Sequence, residues 1–206
     1  SEAVSDQELQ KYLSETAENE NDVFAALSTA FCGEGLVFKV GDNTLISGPV
    51  QVLFVSTGGS PVMHVPRLVW QLGKLSEVKV IEKFVGVEGG YFINAVQDWL
   101  LAEGAGVSFT QVQVDASDSW HFSKTRVHLH RNSRFHSTNA SYGTQLARIH
   151  YDVRLKEEGP ELRLPLIHIG LCRRTPLSLT RCSRSHQKKK KTNINTTSQQ
   201  TSTTHK

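Results

Sequence analysis

The chain has 206 residues, 38% of them apolar and 21% charged, which fits one globular domain with tails and excludes collagen-like and wholly disordered classes. No run of 18 apolar residues occurs, so no ordinary membrane-spanning helix is expected, and three scattered cysteines, Cys32, Cys172 and Cys182, exclude a disulfide framework and favour a reducing compartment. The net charge of +3 hides a split: residues 1–162 carry net −7, whereas 163–206 hold ten basic residues and no acid.

Residues 1–34 read as a polar lead-in with short helices. The opening is acidic, with neither an apolar signal core nor Arg/Ser-rich transit character, and it starts without Met, so an upstream targeting segment is expected to have been removed or left out. "DQELQKYLSE" places Leu9 and Leu13 four apart and predicts a helix around 6–18. "DVFAALSTAF" predicts a second helix, with Asp22 at its N-cap and Phe24, Leu27 and Phe31 on one face.

From Gly35 to Leu164 short runs rich in Val, Ile, Phe and Thr alternate with Gly and polar corners. "GLVFKV", "PVQVLFV", "EVKVIEKFVG", "YFINAVQDWLLAEG", "GVSFTQVQV", "HFSKTRVHLH", "SRFHSTNAS" and "RIHYDVRLKEEG" read as strands. No convincing helix separates them, which disfavours βαβ units. New strands begin after corners near Val78, Val107, Arg134 and Glu161, a step of 27 to 29 residues with room for two strands. Such a period suggests a solenoid of two-strand rungs, a flattened β-helix. A β-sandwich with short strands would give a similar list. Beyond 165 the chain turns basic and Lys/Thr/Ser-rich and is expected to stay disordered.

"VHLHRNSRFH", 127–136, is the one stretch with a metal-like spacing. His128 and His130 lie two apart and share one side of a strand, with Val127 and Leu129 toward the core. A closed site needs about four ligands, and no Glu-x-x-His or Cys-x-x-Cys motif completes the pair. A structural or surface role is therefore preferred to metal binding, and no catalytic residue is expected. "STGGSP" and "VEGGYF" lack the Lys and the helix of a phosphate loop and read as turns. Cys32 follows a helix end, where its thiol gains no activation. "KKKK", 188–191, could touch nucleic acid, but it has no interleaved aromatics and the body is acidic, so a solvated tail is preferred. Trp70, Trp99 and Trp120 read as core or corner packing. Asp115 and Asp118 are the nearest thing to a carboxylate pair for a glycan-acting site, and they fall in a loop.

Several long blocks occur in order: "DVFAALSTAF", "PVQVLFV", "VGVEGGYFINAV", "EGAGVSFTQVQ", "RNSRF" and "GTQLAR". Over roughly residues 22–162 the chain resembles the SufB/SufD core family of the SUF iron–sulfur cluster assembly system, closer to SufD. The resemblance implies a right-handed parallel β-helix. It also implies a non-catalytic scaffold that binds no cofactor of its own and pairs with a SufB-like subunit and a SufC-like ATPase, the complex handling the cluster. In a plant or alga it implies the plastid stroma, and otherwise the cytoplasm. The family's later rungs and ATPase-docking helices have no recognisable counterpart after 164, so reduced activity is expected. The rival readings are a β-helical glycan-binding or polysaccharide-acting protein, and a nucleic-acid binder acting through the basic tail.

Overall fold

A computed structural model describes residues 14–16, 20–32, 35–57, 61–87, 90–168 and 192–199. Helix α1 (Val23–Phe31) precedes the strands β1 (Gly35–Val40), β2 (Val50–Ser56), β3 (Val62–His64), β4 (Arg67–Leu72), β5 (Glu77–Gly86), β6 (Tyr91–Leu101), β7 (Gly106–Asp115), β8 (Trp120–Leu129), β9 (Arg134–Gly143), β10 (Leu146–Leu155), β11 (Glu161–Arg163), β12 (Leu166–His168) and β13 (Thr192–Gln199). Residues 14–16 are helical, and most of the helix expected over 6–18 lies outside the described residues. Among the described residues no helix is long and apolar enough to cross a membrane.

The strands deal alternately into two sheets. One runs β1-β4-β6-β8-β10-β13 with β3 also on β6, and the other runs β11-β9-β7-β5-β2 with β12 also on β9. Every pairing is parallel except β13, which lies antiparallel to β10. The fold is thus a mainly β, parallel β-solenoid of about four turns. Glu77, Gly106, Arg134 and Glu161 stand side by side in the register, so the period read from the sequence is one turn. The sandwich alternative fails on the parallel pairing, since sandwiches are antiparallel.

Local chemistry closes each turn. Asn43, Leu75, Gly104, Asn132 and Gly159 occupy equivalent corners, all with φ between +54° and +80°. Asn and Gly adopt that left-handed region readily, whereas Leu75 sits there at a steric cost. The corners bond to each other along the solenoid: Asn43 N–H donates to Lys74 O (2.7 Å), Leu75 to Glu103 O (3.0 Å), Gly104 to Arg131 O (2.8 Å) and Asn132 to Glu158 O (3.3 Å).

Two prolines divide strands into short halves. Pro66 splits β3 from β4, and Pro165 splits β11 from β12, yet each pair of halves lies on a single neighbour, β6 or β9. Proline has no N–H for the ladder. Its carbonyl still accepts, from Val96 N–H at Pro66 (3.0 Å) and from Asn139 N–H at Pro165 (3.3 Å). In the segment expected to stay disordered, β12 and β13 are two strands, while Cys172, Cys182 and Lys188–Lys191 lie outside the described residues.

The core lies between the sheets. Phe38, Trp70 and Trp99 occupy one register column and stack, at 4.0 Å for Phe38–Trp70 and 4.9 Å for Trp70–Trp99. Phe109 and Phe135 meet Trp99 from the opposite sheet. Leu72, Leu101 and Leu129 form the next inward column. Trp120 takes the corner alternative: it stands half-exposed there, its Nε1–H donating to Gln145 Oε1 at 2.9 Å. In α1 the N-cap is as expected, with Asp22 Oδ1 accepting from Phe24 and Ala25 N–H. Its buried face is Ala25 and Ser28 with Phe24 packed on Phe92 and Phe122, whereas Phe31 is exposed.

Candidate functional site

Strand alternation sends neighbouring residues of β6, β8 and β10 to opposite faces. Gln97, Thr125 and Tyr151 point between the sheets, and Asp98, Arg126 and Asp152, the next residue on each strand, point outward. Both faces are buried, so the chain carries two polar seams one residue apart.

On the outer face the seam is ionic and is covered by the segment entering α1. Glu20 reaches back 104 residues: Lys124 Nζ donates to its Oε1 at 2.6 Å and Arg126 Nη1 to its Oε2 at 2.9 Å. Arg126 Nε lies 2.7 Å from Asp98 Oδ1, an ion-pair contact rather than an aligned hydrogen bond, and Arg67 Nη2 donates to Asp98 Oδ2 at 3.1 Å. Asp22 takes His150 Nδ1 at 3.0 Å and Arg148 Nη2 at 3.5 Å. Burial works against ionisation of Asp22, but His150, Lys124 and the Phe24 and Ala25 amides outweigh it and hold its carboxyl below the usual range. Between the strap and the sheet is a cleft of about 340 Å³, reached by Lys124, Arg126, Arg148, His150, Asp152 and Arg154.

The inner seam is nearly free of charge. Glu82 is fully enclosed, and Gln97 Nε2 and Gln111 Nε2 both donate to its Oε2, the latter at 3.3 Å. Burial pushes Glu82 up to about 8, against which the two amides pull only partway. Glu82 is therefore a carboxylic acid at neutral pH. Further along, Tyr151 Oη meets Ser137 Oγ at 2.8 Å and accepts from Asn139 Nδ2 at 2.6 Å, and burial raises the phenol. Asn139, which with Ala140 and Ser141 spells the Asn-x-Ser pattern of a glycosylation acceptor, is thus enclosed and out of reach.

His128 lies on the outer face, as alternation requires, with Val127 and Leu129 in the core. It is nonetheless buried, and burial, followed by Arg154, Lys156, Arg126 and His130, lowers it to about 3. His130 sits past the strand end, half-exposed, 3.4 Å from Glu157. Among the described residues no three His, Cys, Asp or Glu side chains gather as a metal site. Cys32 stands at the C-cap position, just beyond the last turn of α1. Asp115 is not a glycan-facing carboxylate: it is buried between Tyr91 Oη (2.8 Å), from the strand before, and His121 Nδ1 (2.8 Å), six residues on. The Glu82 and Glu20 groupings escaped the sequence reading. Alternation could have shown only that Glu82 is an acid at an inward position of β5.

Residues 54–202 match the family model described as SUF system FeS cluster assembly, SufBD core domain. A relative in Synechocystis sp., an iron–sulfur cluster assembly SufBD family protein, is 26% identical over 162 residues, covering 74% of this chain and 36% of that protein. The chain thus spans about a third of the length of the curated relative it matches. No solved structure matches.

Proposed function

Because the chain belongs to the SufBD core family, which suggests a role in SUF iron–sulfur cluster assembly, we propose that it is a non-catalytic scaffold subunit that pairs with a SufB-like protein and engages a SufC-like ATPase. The observation that carries this reading is the family match across 54–202 laid on a parallel solenoid. Stacked turns give a long lateral surface held by ladders on both sheets, which suits holding partners in fixed relation. The non-catalytic part draws support from the buried acids and bases: Glu82, Asp98, Asp115 and Arg126 are all engaged with other groups of the fold. A closer kinship to SufD than to SufB, and a place in the plastid stroma of a plant or alga or else in the cytoplasm, belong to the same proposal.

Co-expression tests it. The chain is produced with a SufB-type and a SufC-type partner and purified through a tag on the SufB-type protein. Stoichiometric recovery of all three is expected. Recovery of the two partners without this chain overturns the scaffold reading.

A further inference from the structure

The outer-face cleft holds more unmet donors than unmet acceptors. Lys124, Arg126, Arg148 and Arg154 reach it, with His150, against the carboxylates of Glu20, Asp22 and Asp152. Those carboxylates leave nitrogens over. Arg126 is only 3% exposed, yet its Nη2 has no hydrogen-bond partner, and neither has Arg154 Nε or His150 Nε2. Asp152 Oδ1 is the one acceptor in the cleft left in the same condition among the described residues. A buried guanidinium edge without an acceptor is costly, and a planar fork of this kind suits multi-oxygen anions. His128 is lowered mainly by its burial, and Arg154 and Arg126 are among the cations that add to the lowering.

Glu20 shows what the receptor accepts. One carboxylate spans Lys124 Nζ and Arg126 Nη1, and a second, Asp22, spans His150 and Arg148. Each carboxylate offers two oxygens, and the donors left over call for more. We propose that this cleft is an oxyanion-binding site of the phosphate class, and that Glu20 occupies it in cis when no such ligand is present. The phosphoryl group enters as Glu20 swings out, taking the Lys124 and Arg126 contacts together with the unmet Arg126 and Arg154 nitrogens. Asp152 Oδ1 then accepts from the protonated oxygen of a monoanionic phosphate.

The full chain is titrated with inorganic phosphate by calorimetry at constant ionic strength, with acetate as the two-oxygen comparison. Saturable phosphate binding, tightened about tenfold or more in Glu20→Gln by removal of the competing carboxylate, is the expected result. In the Glu20→Gln background, Arg126→Gln should abolish it. Arg154→Gln, a milder change at a part-exposed residue, should weaken it by about tenfold. Circular dichroism checks that each variant is folded. The proposal is overturned by absence of saturable binding in both the parent and Glu20→Gln. It is equally overturned by binding indifferent to Arg126→Gln and Arg154→Gln, which would place phosphate on the basic tail, or by acetate binding as tightly as phosphate.

Discussion

Gln97 and Asp98 are neighbours in one strand, as are Thr125 and Arg126, and Tyr151 and Asp152, but the two seams they build handle charge in opposite ways. Between the sheets the only carboxyl near Gln97 and Gln111 keeps its proton and takes amide donors. On the outer face the carboxyl groups of Asp98, Glu20 and Asp22 each lie against basic side chains, among them Arg126, Lys124 and His150. An isolated ion in a dry interior is too costly, so it is neutralised by protonation; a covered surface can instead recruit counter-ions from a distant segment.

The comparison can be broken first with pH. Glu82 stands at about 8 in the fold against 4.5 when exposed, so the folded state keeps a proton the unfolded chain releases. Stability therefore falls as pH rises from 4.5 toward 8, by an amount on the order of 5 kcal/mol once ionisation is complete. His128 stands at about 3 against 6.5, so the unfolded chain takes the proton first and stability falls as pH drops from 6.5 toward 3. The two slopes oppose each other between 4.5 and 6.5, giving a plateau with a falling limb on each side. Urea unfolding across pH should show Glu82→Gln losing the alkaline limb and His128→Asn losing the acid limb. An alkaline limb unchanged in Glu82→Gln would sink the neutral-seam account.

Arg126→Met comes next, at about 3–5 kcal/mol, because it strands Asp98 and Glu20 without their shared cation. Denaturant midpoints measure it. A smaller loss, about 1–3 kcal/mol, is expected for Glu20→Gln, which leaves Lys124 and Arg126 under-paired. Hydrogen exchange should then speed in α1 and not in β5 or β7, separating the outer seam from the inner one. The smallest effect lies at a corner. Leu75 is the only one of the five left-handed corner residues that is neither Asn nor Gly, and Leu75→Asn should raise stability by roughly 0.5–1 kcal/mol.

How much of this was readable beforehand follows the range of the interactions. Strand starts near 78, 107, 134 and 161 were legible because corners are local: a Gly or Asn, a polar pair, then alternation. The Asp22 cap was legible for the same reason. The seams were not, because Glu20 meets Lys124 across 104 residues and Gln97 meets Glu82 from the facing sheet. Alternation told which side His128 faces, but it could not tell that the outer side is also buried. Helical periodicity put Phe31 on the face of Phe24 and Leu27, but it could not tell that Phe31 is exposed.

The corner ladder has a consequence for how such a chain changes length. Each corner passes its amide to the next corner's carbonyl, and each strand pairs only with the turns directly above and below it in its sheet. A segment cut from one left-handed corner to the next would therefore leave the flanking turns facing identical partners. Loss or duplication of one whole turn is geometrically silent where loss of half a turn would swap the two sheets. Relatives of this chain should accordingly differ in length by whole turns, with gene segments trimmed or copied at the corners.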